Sequence, residues 1–453
     1  MKRIAVIILI FISLWVASAQ TVSVPDQNLK SCLIQKYPKA FDASQNLIIA
    51  EASKIPDPIG CPNRNIKNAE GLQYFTNIAE IDLSKNQLTF LPELSGLTKL
   101  VILNVSENQI VALPELKNLG NLSHLDVRRN LMKTLPELPL NLFHLNANTN
   151  QLDTFPPLDA LVKLNYLNVA ENKLRYLPGL DKLTALTTLI CWGNTLKELA
   201  PLHGLNQLML LDASRNHLTH MPALSTLSKI ENIYMDRNQL TTVPDLSICK
   251  SLKKVRLYGN KLTFEDLVPL ASIKRYDTIL TLSPQSKLMV GKVLEVGETH
   301  KALLKTGIDT NVSGIEYDWF FNGTPYRSST FDTLSPATSS VSNTGYYYCK
   351  ISHPSFPELS LVTDSFHVKV LPCINVSGFS TTVTASNCLQ PGSLKIDAHH
   401  QPTKDLQYSL KSTNSGKLLS SSTGIFKNLT EVEYTLAVQA GKSCIKELPD
   451  KVV

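Results

Sequence analysis

Nine asparagines punctuate the middle of the chain: Asn86, Asn108, Asn130, Asn150, Asn172, Asn194, Asn216, Asn238 and Asn260, 22 residues apart except for one step of 20. A period held over this many copies constrains the fold more than composition does. It describes one short structural unit stacked on itself, each copy burying a face that its neighbour cannot cover alone. Around each asparagine the frame reads L-x-L-x-x-N-x-L, as in "IDLSKNQL", "LNVSENQI" and "LDVRRNLM".

The frame gives each position a role. In L-x-L the two leucine positions point to one side of a short strand, into a core, and the residue between them points away. Stacked strands then form a parallel sheet on the concave side of a solenoid. The asparagine stands where the chain turns out of the strand. Its amide both donates and accepts, so it satisfies backbone groups of the turn that would otherwise be buried without partners. Segments such as "FLPEL", "ALPEL" and "TLPEL" close the convex side without a long helix. The stretch "TLPELPLNLFHLNANTNQL" drops two residues there, which predicts a tighter turn and an intact strand.

This is the leucine-rich repeat pattern. The copies resemble the 22-residue repeats of internalins and of secreted proteins from gliding and environmental bacteria, over residues 72 to about 282. The resemblance implies a leucine-rich repeat solenoid of parallel strands with short convex turns, capped at both ends. Before the repeats, "VPDQNLKSCLIQKYPKAF" reads as a short amphipathic helix, part of a small helical cap over residues 20–71 that Cys32 and Cys61 are expected to bridge. The solenoid and its C-terminal cap are expected over 72–284, where "YDTILTLSPQ" resembles the closing segment of such bacterial arrays.

From about Lys287 the runs become strand-like and separated by turn residues. Within 285–371, Trp319 followed by Asn343-x-Gly345-x-Tyr347-x-Cys349 resembles an immunoglobulin-like domain. Tyr347, two residues before the cysteine, fits the tyrosine corner. "HKALLKTGI", where the partner cysteine would lie, has none, so Cys349 is expected as a buried thiol. Over 372–453, "LQYSLKS" and "GIFKNLTEVEYTLAVQAGKSC" resemble the repeated adhesin modules of gliding bacteria. That resemblance implies a second β-sandwich in which Cys388 and Cys444 take the two cysteine positions of the module, with Cys373 left over. The expected architecture is a solenoid followed by two β-sandwich domains.

The amino terminus points to export. Lys2 and Arg3 precede an apolar run from Ile4 to Val16, and Ala17-Ser18-Ala19 has the small-x-small spacing of a cleavage site, giving a signal peptide over 1–19. That run is too short to span a bilayer, and no later stretch is long and apolar enough. A secreted or cell-surface protein is expected, and eight cysteines are compatible with an oxidising compartment. Without Lys2 and Arg3 the 44 basic residues become 42 against 38 acidic, or +4. This is too mild and too dispersed to argue for nucleic acid.

No nucleotide loop, paired-cysteine zinc signature or nucleophile elbow occurs. Cys191 and Cys249 occupy leucine positions and read as core thiols. No catalytic residue and no cofactor is expected. His124 and His144 face outward on adjacent strands near Asp126, an arrangement that could hold a metal, although two solvated surface histidines are the plainer reading. The outward column through Ile190 reads Asp82, Asn104, Asp126, Asn146, Asn168, Ile190, Asp212, Tyr234 and Arg256, polar for five repeats and then changed. Flanking columns add Tyr166, Leu210 and Tyr258 beside Trp192. These seven side chains (Tyr166, Ile190, Trp192, Leu210, Tyr234, Arg256 and Tyr258) are the candidate ligand-binding residues. Trp, Tyr and Arg are favoured at interface hot spots, and aromatic faces also suit sugar rings. The sequence thus predicts a non-enzymatic adhesin or interaction scaffold with a protein or glycan ligand on the concave face. A structural component of an extracellular matrix and an accessory subunit of a secreted enzyme are the alternatives.

Overall fold

The computed structural model describes residues 20–273, 278–297, 301–337, 340–371, 378–384, 392–399, 406–429 and 433–452, with backbone only at 378, 398–399, 440 and 444–452. The expected signal peptide, Cys373 and Cys388 lie outside the described residues. Cys444 is described only as backbone, at the start of the strand Cys444–Val452.

An 11-stranded parallel sheet runs from Ile59–Gly60 to Ile279–Thr281. The strands between are three residues long and lie on the L-x-L frame, as in Ile102–Asn104, His124–Asp126 and Thr188–Ile190. Register advances by one repeat per strand, pairing Leu103 with Leu125 and Leu189 with Leu211. The paired leucines are buried, because alternate residues of a strand share a face and this face is closed by the convex turns. Across the 20-residue step Leu125 still pairs with Leu145, so the two missing residues come out of the convex turn alone.

The asparagines are the joints between repeats. Asn108 donates through Nδ2 to the carbonyls of Val105 in its own turn and Leu83 in the preceding one, both at 3.0 Å. Its Oδ1 accepts the Leu88 N–H at 2.9 Å. The same set recurs at Asn172, which bonds Ala147, Val169 and Leu152. All nine asparagines are between 0% and 9% exposed, so these bonds are made away from water. The residue before each asparagine is left-handed: φ runs from 52° to 56° at seven non-glycine positions such as Glu107 and Arg215, and is 68° and 69° at Gly193 and Gly259. A left-handed side-chain-bearing residue costs about 1–2 kcal/mol. The amide bonds across the turn oppose that cost.

The N-terminal cap centres on Asp26. One carboxylate oxygen accepts the N–H groups of Asn28 and Leu29 at 2.9 and 3.0 Å, capping the helix Gln27–Lys36. The other accepts Lys67 and Asn68 at 2.8 and 3.2 Å, which ties the helix to the chain entering the first repeat. Cys32 of this helix is bridged to Cys61, with Cα atoms 6.1 Å apart, as the sequence led one to expect.

A second compact unit comprises Lys261–Ala271 and the chain from Ser283. Residues 261–271 fall inside the expected C-terminal cap, yet their short helix Phe264–Leu267 takes its N-terminal acceptor from Asp309, whose carboxylate receives the Phe264 and Glu265 N–H groups at 3.0 and 2.8 Å. A six-stranded sheet is built around Gly345–Ser352, Glu316–Phe321 and Phe366–Leu371, with a separate two-stranded sheet of Leu304–Lys305 and Thr333–Leu334. Trp319 and Cys349 are register partners, both buried; Cys349 is a free thiol that burial pushes up to about 12. Further on, a three-stranded and a four-stranded sheet share one buried cluster that includes Leu394, Ile396, Tyr408, Phe426 and Leu436.

Replacing Asn172 by Ala leaves the Leu152 N–H without its partner in a dry turn and takes one bond each from the Ala147 and Val169 carbonyls, which keep Asn150 and Asn194 as donors. Urea denaturation should show ~1–3 kcal/mol of lost stability, the cost of one orphaned buried donor. Asn172→Asp should do no better, since it points a carboxylate at those carbonyls; a wild-type midpoint for either variant refutes the joint. Replacing Cys32 and Cys61 together by Ser should cost ~2–5 kcal/mol in the same measurement.

Candidate functional site

The outward column between the core leucines has a structural job. Asp82, Asn104, Asp126, Asn168 and Asp212 each accept, through Oδ1, the N–H two residues on, at 2.9 to 3.1 Å. Asn146 does the same at 3.4 Å. These side-chain-to-backbone turns close the exit of every strand that has an Asx residue in this column. Three repeats have none, because Ile190, Tyr234 and Arg256 stand there. Among the described residues nothing accepts the N–H groups of Trp192, Asp236 and Tyr258. A recurring Asx two residues before the asparagine-preceding pair was visible in the sequence, but a polar outward residue was read there only as surface.

In and between those repeats, rings and cations collect. The Arg256 guanidinium lies 4.2 Å from the Tyr234 ring centre, and its Nε donates to Asp236 at 2.9 Å. Asp236 is 2% exposed, so Arg256 is held in place by a buried carboxylate that would be costly to leave unpaired. Lys254 approaches the same Tyr234 ring at 5.8 Å. Arg237 lies 5.7 Å from the Tyr258 ring and Arg215 lies 5.8 Å from Trp192. Arg215 and Arg237 are the left-handed residues before their asparagines; the sequence-based columns omitted that position. The side chains of all seven candidates are partly exposed.

Tyr166 belongs to a different group. It stacks on His144 at 4.3 Å with planes 2° apart, and His144 stacks on His124 at 5.7 Å, forming a ring ladder along the first outward column. Its hydroxyl accepts from Asn168 at 3.3 Å. No ring contact joins it to Trp192 among the described residues. The two histidines are thus together as expected, ring on ring. Among the described residues no group of three or more His, Cys, Asp or Glu side chains is arranged to hold a metal. Burial, with His124 beside it, holds the His144 imidazole below its ordinary range. Burial raises the nearby Asp126 carboxyl, against the pull of Arg128.

An open groove of about 530 Å³ crosses the wall between these groups, with Asn148, Asn168, Ala170, Ile190, Trp192 and Tyr234 among its lining. A larger depression of about 680 Å³ lies among the turns that follow the asparagines, bordered by Lys197, His217, His220 and Met221. It contains none of the predicted residues. Cys191 is fully buried, and burial raises its thiol far above the ordinary value, which removes it as a nucleophile.

No family model and no curated protein matches the sequence. Among solved structures the chain is similar to InlP of Listeria monocytogenes, with TM-score 0.50 and 15% identity over 77% of this chain and 96% of that one. It is also similar to an internalin, InlF, of Listeria monocytogenes (TM-score 0.40, 21% identity, 59% and 93%). A third is YopM, a leucine-rich effector protein from Yersinia pestis (TM-score 0.34, 27% identity, 47% and 68%). The likeness to InlP shows the fold, a parallel leucine-rich repeat solenoid.

The lowered His144 titration has a consequence for stability. Unfolding frees this imidazole to bind a proton at its ordinary pKa of about 6.5, so below that pH the unfolded state holds more protons and stability falls. The melting temperature should drop as pH falls from 7 to 5, and the drop should shrink in His144→Gln. An imidazole resonance for His144 titrating at or above about 6.5 in NMR would remove the basis of this expectation.

Proposed function

We propose that this chain is an extracellular, non-enzymatic binding protein, secreted or held at a cell surface, that recognises a macromolecule with the concave face of its solenoid. One observation carries the reading: Trp192, Tyr234 and Tyr258 stand in the three repeats that give up the Asx turn, and four cations gather on them, Arg237, Lys254 and Arg256 from those repeats and Arg215 from the repeat between. An Asx residue at Ile190, Tyr234 or Arg256 would stabilise the strand exit, so their replacement by apolar, aromatic and cationic side chains favours contact with something outside the chain. Preorganisation supports it further. The strands are about 4.8 Å apart and locked by the asparagine joints, so little ordering remains to oppose binding.

The disulfide of the cap supports an oxidising compartment. Among the described residues no helix is long and apolar enough to cross a membrane. The carboxy-terminal unit reads as two β-sandwich spacers. The first is immunoglobulin-like: Trp319 lies opposite Cys349, and the Tyr347 hydroxyl donates to the Asn343 carbonyl at 3.3 Å, the bond of a tyrosine corner. The second is adhesin-like, with a Cys388–Cys444 bridge as its expected clasp.

Immobilised protein should retain cell-surface or environmental polymers, and Trp192→Ala with Tyr234→Ala should weaken retention by ~2 kcal/mol or more at an unchanged melting temperature. Arg256 is a poor choice for this test, because its loss strands the Asp236 carboxylate. Equal retention by the doubly substituted protein, still folded, would move the site off this wall.

A further inference from the structure

We infer that the groove beside Trp192 binds an uncharged, hydroxyl-rich saccharide, with a sugar ring on the Trp192 face and a sugar oxygen on the Trp192 main-chain N–H. The inference rests on the concave-face reading and names the ligand class for it.

The Trp192 main-chain donor is unused among the described residues. In six repeats the equivalent N–H is taken by an Asp or Asn side chain of the concave face, so the donor itself points to that face. At Trp192 the side chain in the accepting place is Ile190, which cannot accept. Asn168 and Asp212, its neighbours in register, are both committed to their own turns. An N–H left in this way on a partly buried residue needs water or a ligand oxygen.

The lining of the groove suits hydroxyl groups. Beside Trp192 the groove presents Asn148, Thr149, Asn168, Glu171 and Asp212, a mixture of amide, hydroxyl and carboxylate groups that both donate and accept. Vicinal hydroxyls need that mixture, since each gives one hydrogen bond and receives others. The charged groups nearly cancel: Glu107, Glu171 and Asp212 against Arg128 and Arg129, three carboxylates to two guanidiniums. Arg128 is also paired with Asp126 at 3.2 Å and Arg129 with Glu107 at 3.8 Å. A neutral ligand matches this balance better than a strongly acidic one. In the column of Trp192 the preceding residue is Ala170, a methyl group that leaves room beside the indole.

The spacing of free groups favours a saccharide over a peptide. A peptide that adds to a sheet needs a row of free donors and acceptors along one edge. Here the free donor of the groove is flanked by capped turns at Ala170 and Ser214. A pyranose asks for what is present, one apolar face for its C–H side and separated polar groups for its rim.

Trp192 is well suited to report the result. Apart from Trp15 in the amino-terminal run, the chain has only Trp192 and Trp319, and Trp319 is 1% exposed. Acrylamide should therefore quench mainly Trp192 in the full exported chain. The probes are cellohexaose, laminarihexaose, xylohexaose, mannohexaose and chitohexaose, with polygalacturonate and hexaglutamate as acidic arms. At least one neutral hexaose should protect Trp192 from quenching. Ile190→Asn, which supplies the missing acceptor, should weaken that binding about three- to tenfold while keeping or raising the melting temperature. Ile190→Leu, which also cannot accept, should weaken it less than Ile190→Asn does. The proposal is overturned if no neutral hexaose protects Trp192, if an acidic probe binds as well as the best neutral one, or if Ile190→Asn binds undiminished. Should the saccharides fail while Trp192→Ala still abolishes retention of a polymer or protein, the concave wall remains the site and the ligand class alone is wrong.

Discussion

One amide holds this molecule together. The asparagine side chain reaches two carbonyls in two successive turns and accepts an N–H from the chain beyond the preceding asparagine, so every repeat is fastened to the one before it at two points and to its own turn at a third. That set of bonds fixes the spacing of the strands and makes a left-handed residue tolerable at every turn. Its hold is clearest where the sequence is least regular. Across the shortened repeat, Asn150 still accepts from Met132 at 3.1 Å and still donates to Val127 at 3.0 Å, although its partners are two residues closer in sequence. The convex side absorbs a deletion that the asparagine ladder cannot.

A second ladder lies on the concave face and is optional. The Asx turns add one side-chain bond per strand exit and leave the core untouched, so a repeat can lose its Asx residue and keep its register. Leu189, Leu211, Ile233 and Val255 pair in order straight through the three repeats without one. This division separates what the fold requires from what a surface can vary. The core leucines and the asparagines are bound by packing, whereas the outward columns can change with little structural penalty.

The period, the buried face, the asparagine role and the cap disulfide were legible because each follows from local pattern or from chemistry repeated nine times. The left-handed residue was legible only at Gly193 and Gly259; seven other repeats place Lys, Glu, Arg or Thr there, which sequence alone reads as ordinary surface. The candidate site was half legible. Ile190, Trp192, Leu210 and Tyr234 do line one groove. Tyr166 was assigned beside Trp192 from column geometry, but its ring turns along the sheet onto His144, since flat neighbours 4.8 Å apart stack when their rotamers allow it. The tie between Arg256 and buried Asp236 joins residues 20 apart in sequence, and a charge pattern gives no warning of which ion pair will be covered. The cap supplied by Asp309 to Phe264 spans 45 residues and carries no local signature at all.

The ring ladder also bears on whether Trp192, Tyr234 and Tyr258 merely cover the sheet. Side chains that serve only as cover should pack on one another, as His124, His144 and Tyr166 do in the first column. In the carboxy-terminal half of the wall the rings do otherwise. Among the described residues no ring–ring contact joins Trp192, Tyr234 and Tyr258 to each other; each meets a cation instead. A cation over one face of a ring leaves the opposite face for another group, whereas a stacked pair uses faces on each other. Trp192 and Tyr234 also sit in different columns, two strands apart, with Asp212 and the small Ser214 in the repeat between them. Cover would be served by the reverse arrangement, with large residues adjacent. Spaced rings, each meeting a cation and with small or polar neighbours between, leave apolar area on the wall that the protein does not cover itself, which fits the binding role proposed for this face.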